Sequence, residues 1–177
     1  MLSRLLCARP GRPRQLTSLT RPAVWISIKP RFAKAIFDGL KKYELRRIAP
    51  RVEPGSIALV YASAPIKSLV GAFRMRDIVV RPLDSLWSNV GHHSAIDRAA
   101  YDSYFAGKEN GAAITIGQTW QATRRWSLDE LRSRWPAFRP PQSYRYISTM
   151  KSSCDLRLSL IHGPTLLFSP RKLCPPE

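Results

Sequence analysis

Residues 27–47 constrain the fold of this 177-residue chain most strongly, because they hold its clearest start and stop signals. Pro30 suits the first position of a helix, where a missing backbone N–H costs nothing, and Gly39 suits the left-handed position after a helix end. The apolar residues between them recur at i, i+3, i+4 and i+7, and they are Ala33, Ile36, Phe37 and Leu40. The pattern predicts a helix that packs this stripe against a core.

Charged and apolar residues alternate directly after this helix, over residues 39–46, as they do in a half-buried strand. The alternation places Lys42, Glu44 and Arg46 on one face. That face has two interpretations. It is either a solvated surface with a weak ion pair, or the floor of a polar cleft in which a carboxylate and cations recognise a ligand.

The ordered residues Gly39-x-Lys41-x-x-Glu44-x-Arg46, preceded by Ser27-Ile-Lys-Pro, resemble the signature of ASCH domains. The resemblance extends from residue 23 to residue 148, and its other parts are Pro54-Gly55, Tyr61-Ala-Ser-Ala-Pro65, residues 67–71 and residues 140–146. ASCH domains are small β-barrels of the PUA-like superfamily, and many of them bind RNA. The resemblance therefore implies this fold and nucleic acid as the class of partner.

The remaining patterns predict an α+β chain. Strands are predicted at residues 24–28, 56–62, 67–80 (bent at Gly71), 111–117, 120–126 and 143–147. A turn or two of helix is predicted at residues 82–88, an Asp97-capped helix with a core-facing aromatic stripe at residues 98–105, and a helix from residue 128 after the Ser127–Glu130 capping box. No βαβ repeat is visible, which argues against a parallel sheet. Closure into a small mixed β-barrel of PUA-like/ASCH type, with two or three short helices, is what the resemblance implies.

The formal net charge of +17 lies mostly in the predicted domain. Residues 23–147 carry twenty Lys/Arg against ten Asp/Glu, whereas residues 1–22 add +5 and residues 148–177 add +2. Such a surface favours a polyanion, nucleic acid first, although charge alone does not choose between RNA, DNA and an anionic membrane. We expect RNA as partner, with DNA as the alternative. No apolar run approaches the ~20 residues of a membrane helix, so we expect no membrane contact.

The segments outside the domain are less informative. Residues 1–22 are Arg-rich and acid-free, which predicts a disordered basic extension; mitochondrial targeting is the alternative. Residues 149–177, broken by prolines, are expected to be mostly irregular. Cys7, Cys154 and Cys174 match neither a zinc site nor a disulfide framework, which indicates a reducing compartment and a cytoplasmic location. We expect a monomer with no cofactor and no metal.

A ligand site follows from combining the resemblance with the chemistry of the side chains. Phosphates need cations and backbone donors, and bases need stacking surfaces and hydrogen-bonding groups. ASCH-like folds suggest that the segments supplying such groups converge on one cleft between the barrel and the first helix. The candidate nucleic-acid-binding residues are Lys29, Lys41, Glu44, Arg46, Arg47, Ser63, Gln142, Ser143 and Tyr144.

An enzymatic role is the alternative to recognition. Some ASCH proteins are amidohydrolases that act on acetylated cytidine, and their motif reads Lys-x-x-Thr-x-Arg with a threonine nucleophile. Lys41 and Arg46 match that motif, but Glu44 stands where the threonine would be, and a carboxylate cannot replace an activated hydroxyl in acyl transfer. The sequence therefore favours recognition of RNA or of a modified nucleotide, and the alternative is a small amidohydrolase or ribonuclease that acts on a modified nucleoside or on RNA and in which Lys41 and Glu44 would be catalytic.

Overall fold

A mixed, curved sheet forms the centre of the protein in the computed structural model, which describes residues 23–147 and 168–170. The strands are β1 (Val24–Ile28), β2 (Tyr43–Arg46), β3 (Ile57–Ala62), β4 (Ser68–Pro82), β5 (Asn110–Ser127), β6 (Tyr144–Tyr146) and β7 (Phe168–Pro170). The helices are α1 (Pro30–Phe37), α2 (Leu83–Val90), α3 (Arg98–Phe105) and α4 (Leu128–Arg134), and a 3-10 turn at Gly91–His93 follows α2. Residues 1–22, most of residues 149–177 and all three cysteines lie outside the described residues.

The sheet runs in the order β2-β5-β4-β3-β1-β6, with β7 paired to β5. β1 and β3 are parallel, and the other pairs are antiparallel. The six strands on this path form a half-barrel, which confirms the predicted α+β fold with a mixed sheet. The part of the chain that the structure describes has four α-helices, each at a position that the sequence patterns predicted, although the resemblance was taken to imply two or three. The two strands predicted at residues 111–117 and 120–126 are one long strand, β5.

Helix α1 fills the concave side of the half-barrel. It begins at Pro30 and ends before Gly39, whose φ of +78° is the left-handed conformation that the glycine was expected to supply. Ala33, Ile36 and Phe37 are buried among core residues of β1, β3, β4 and β5. The prediction for Leu40 is wrong, because it is 71% exposed. The left-handed residue turns the chain away before the apolar stripe can continue.

Two further layers cover the other face of the sheet. The helix α4 and Phe138 close one hydrophobic cluster with Trp25 and Trp120, while α2 and α3 close another over β2 and β5. Tyr101 and Phe105 of the aromatic stripe are fully buried there, as predicted. No helix within the described ranges is long and apolar enough to cross a bilayer.

Gly71 marks a change of register in β4, as its position inside a strand predicts. A Cβ atom there would lie 2.4 Å from a ring carbon of Phe37 and 2.4 Å from the carbonyl oxygen of Trp120. Both distances are far below van der Waals contact. The bare backbone at Gly71 therefore lets Phe37 of α1 pack closely against β4.

Candidate functional site

Lys41, Glu44 and Arg46 lie inside the protein. Their exposed fractions are 3%, 6% and 5%, and the neighbouring Leu45 is 6% exposed. β2 is therefore buried on both faces, so the predictions of a half-buried strand and of a solvated charged face are wrong. The reason is tertiary packing: Glu44 and Arg46 face Lys41 and the backbone of Ser27, Phe32 of α1 lies over Lys41, and Leu45 packs under α2 and α3.

Lys41 joins three elements through its ammonium group. Its Nζ donates a hydrogen bond to the carbonyl oxygen of Ser94, lies 3.5 Å from Oε2 of Glu44 and lies 4.9 Å from the centre of the Phe32 ring. Burial lowers the pKa of Lys41, and the carboxylate of Glu44 opposes that shift. The ammonium is thus held between α1, β2 and the loop after the 3-10 turn.

Arg46 bridges the open side of the half-barrel. Its Nη2 donates to Oε1 of Glu44 at 2.8 Å and to the carbonyl oxygen of Ser27 at 2.9 Å. Its Nη1 donates to the carbonyl oxygen of Ser143 at 3.3 Å and to the Ser143 hydroxyl at 3.4 Å. β2 and β6 are the two end strands of the described sheet order, and they are not paired with each other. The Arg46 guanidinium therefore connects β2 with the β1–β6 end of the sheet.

The bridged segments meet at the carboxyl end of β1. The backbone N–H of Ser27 donates to the carbonyl oxygen of Ser143 at 3.0 Å, and that of Ser63 donates to the carbonyl oxygen of Ile28 at 2.9 Å. Lys29 follows as the residue before the first turn of α1. We call Lys29, Ser63, Gln142 and Ser143 the β1-end site. Lys29, Gln142 and Ser143 are exposed and Ser63 is half-buried, and the Lys41–Glu44–Arg46 network lies beneath them.

Two predicted site residues are directed elsewhere. Arg47 is exposed and donates from Nη2 to the carbonyl oxygen of Ala106 at 2.9 Å, just past the end of α3. The Tyr144 hydroxyl donates to the carbonyl oxygen of Ala49 at 3.1 Å, while its ring packs against the inner core. The structure therefore brings seven of the nine predicted residues into or directly under one site, and leaves these two outside it.

Sequence reasoning missed two contributors. The carbonyl oxygen of Ser94 accepts from Lys41, and no side-chain pattern marks a backbone acceptor at that position. The Ser27 hydroxyl oxygen is buried and has no hydrogen-bond partner among the described residues. Ser27 lies within the Ser27-Ile-Lys-Pro motif, and this was the sequence signal that could have identified it as a site residue.

Charge is distributed unevenly around the site. Residues 83–109, which form the α2–α3 layer, carry four Asp/Glu against two Lys/Arg. Residues 23–82 carry twelve Lys/Arg against four Asp/Glu, and residues 110–147 carry six against two. The β1-end site is built entirely from the two basic segments, so an anionic ligand would be attracted to this side of the domain. The described part of the chain contains no group of three or more metal-ligating side chains.

Comparisons with known proteins agree with this architecture. The model of the ASCH domain family matches residues 26–120. A protein of Zymomonas mobilis subsp. mobilis, named ASCH domain-containing ribonuclease, is 34% identical over 122 residues, which cover 69% of this chain and 82% of that protein. The crystal structure of ASCH from Zymomonas mobilis superposes with a TM-score of 0.71 at 30% identity, covering 84% of this chain and 96% of that one. A serine-to-alanine mutant of it gives the same TM-score at 31% identity, covering 78% and 95%.

Proposed function

Because the chain belongs to the ASCH domain family, a PUA-like RNA-binding fold, we propose that it binds RNA and that the ligand lies at the β1-end site. The observation that carries this proposal is the Arg46 bridge. By holding Ser27 and Ser143 together, the guanidinium keeps the exposed Gln142 and Ser143 beside the end of β1. The exposed ammonium of Lys29 lies at the same end.

The residues of the β1-end site suit different parts of a nucleotide. Lys29 supplies a cation for a phosphate, and the hydroxyls and amide of Ser63, Gln142 and Ser143 can bond base edges or the ribose 2′-OH. The buried network has a different task. Oε1 of Glu44 accepts a hydrogen bond from Arg46, and Oε2 faces Lys41. These three charged groups therefore hold the β1-end site in place and do not contact the ligand directly.

Changing the charge of Lys29 tests this assignment. We expect Lys29→Glu to weaken binding of a labelled single-stranded RNA about tenfold at low salt, equivalent to ~1.4 kcal/mol. The slope of log K against log salt should fall by ~0.7 for each phosphate that the variant no longer neutralises. Fluorescence anisotropy over a salt series measures both quantities.

The matched control is Lys108→Glu, which makes the same charge change at an exposed lysine of the acidic α2–α3 side. It should reduce affinity only slightly. Equal losses for the two variants would show that affinity reflects net charge and not the β1-end site. Absence of wild-type binding at low salt would contradict RNA binding itself.

RNA cleavage is a second candidate function, favoured by the name of the 34%-identical ribonuclease. Because burial lowers the pKa of Lys41, a larger fraction of its amine than of an exposed lysine would be unprotonated and available as a general base. In this chain, however, that amine is buried and hydrogen-bonded to the carbonyl oxygen of Ser94, so cleavage would require the residues above it to move apart. Incubation of labelled RNA with wild type and with folded Lys41→Met and Glu44→Gln variants distinguishes the two functions. Cleavage by wild type alone would establish the second candidate, and intact RNA in all three samples would leave recognition.

A further inference from the structure

A backbone connection leads from the β1-end site to the start of α4. The N–H of Lys67 donates to the carbonyl oxygen of Ser63 at 3.2 Å, and the N–H of Leu128 donates to the carbonyl oxygen of Lys67 at 2.9 Å. The exposed Lys67 therefore lies between Ser63 of the β1-end site and the first residue of α4. One short turn, residues 63–67, separates the two regions.

Arg124 presents a flat cationic surface next to the start of α4. Its guanidinium lies over the ring of Trp126, 4.5 Å from the ring centre, and forms an ion pair with Glu130. The side chain is nevertheless 60% exposed, so much of the guanidinium remains accessible beside the indole. Bases of single-stranded RNA stack on guanidinium planes of this kind.

Two more cations accompany it. Arg125 and Arg132 are exposed, and neither forms an ion pair with a described residue. Leu131, the residue before Arg132, packs in the same hydrophobic cluster as Tyr61, which places this part of α4 near the end of β3 that leads to Ser63. We call Lys67, Arg124, Arg125 and Arg132 the α4 strip.

We propose that a single-stranded RNA runs from the β1-end site across the 63–67 turn onto the α4 strip. The ligand is accordingly a strand of several nucleotides, not a free nucleoside. This inference rests on the proposed RNA binding and adds the path of the RNA over the protein and the length of strand that is bound. A strip of exposed cations binds phosphates in succession, while the Arg124–Trp126 stack requires a base that is free of a duplex.

A length series tests the inference. Anisotropy is measured with labelled mononucleotide and with single-stranded RNAs of three, six, nine and twelve nucleotides, and with a twelve-base-pair RNA duplex. We expect affinity to rise beyond three nucleotides and then level off, with the duplex at least tenfold weaker than the twelve-nucleotide strand. The Arg125→Glu/Arg132→Glu variant should bind the twelve-nucleotide strand at least tenfold more weakly than wild type, yet bind the three-nucleotide strand within twofold of wild type.

The control is Arg81→Glu/Lys108→Glu, an equal charge change at exposed cations beside the α2–α3 layer, with circular dichroism to verify folding of both variants. The inference is overturned if three and twelve nucleotides bind equally, if the duplex binds as well as the strand, or if both double variants lose the same affinity. Binding that fails at every length would instead overturn the proposed function, and the two failures are therefore distinguishable.

Discussion

Replacing Arg46 with methionine is expected to lower the free energy of unfolding by about 3–5 kcal/mol. The substitution removes the cation that lies 2.8 Å from Glu44 and leaves that buried carboxylate with Lys41 at 3.5 Å. It also releases the backbone carbonyls of Ser27 and Ser143 that Arg46 holds together. Urea unfolding followed by circular dichroism measures the loss.

Arg47→Met is the matched control, because Arg47 is the next residue, its side chain is exposed, and its guanidinium donates to the carbonyl oxygen of Ala106. We expect it to cost about 1 kcal/mol or less. The triple variant Lys41→Met/Glu44→Leu/Arg46→Met should recover part of the loss, since it leaves no buried charge without a partner in this network. Similar losses for Arg46→Met and Arg47→Met would contradict the bridging role.

Replacing Phe105 with alanine is expected to cost about 3–5 kcal/mol of unfolding free energy. Phe105 is fully buried, and its ring centre lies 4.7 Å from that of Tyr101. A Cβ atom on Gly111 would lie 2.6 Å from the Phe105 ring, so β5 is packed tightly against it. The cavity left by alanine cannot be filled by a small shift of α3 alone. Thermal and urea unfolding measure the effect.

Tyr104 is the natural comparison for that experiment, since it is adjacent in sequence and 37% exposed. Its hydroxyl donates to the carbonyl oxygen of Leu45 over a long distance of 3.4 Å. We expect Tyr104→Ala to cost about 1 kcal/mol, the typical value for a substitution that opens no cavity. If the Tyr104 variant proved as unstable as the Phe105 variant, the packing of α3 through Phe105 would be wrong.

Local signals predicted several elements well. Pro30 and Gly39 bound α1, Asp97 caps α3 by accepting from the N–H of Ala100, and Ser127 and Glu130 form the expected capping box. Each of these depends on neighbours within four residues, which a sequence displays directly. The continuity of β5 was missed because Gly117 resembled a break, whereas pairing with β4 carries the strand through it.

The sequence predicted which charged residues lie together at the site, but it did not predict that they are buried. The resemblance to the ASCH signature, and not the strand alternation, grouped Lys41 with Glu44 and Arg46, and the structure joins the three charges through two ion pairs. Their burial could not be predicted from the signature, because it results from tertiary packing: Phe32 of α1 lies over Lys41, and the α2–α3 layer packs on Leu45. The role of Ser94 depends on a backbone carbonyl 53 residues from Lys41, so no local pattern encodes it.

Photocrosslinking locates a bound RNA on the surface of this protein. A short single-stranded RNA with one 4-thiouridine is irradiated with the full-length protein, and crosslinked peptides are identified by mass spectrometry. We predict crosslinks within residues 61–67 and 140–147, which contain Ser63, Gln142 and Ser143. Crosslinks confined to residues 83–109, the acidic α2–α3 layer, would contradict RNA binding at the β1-end site.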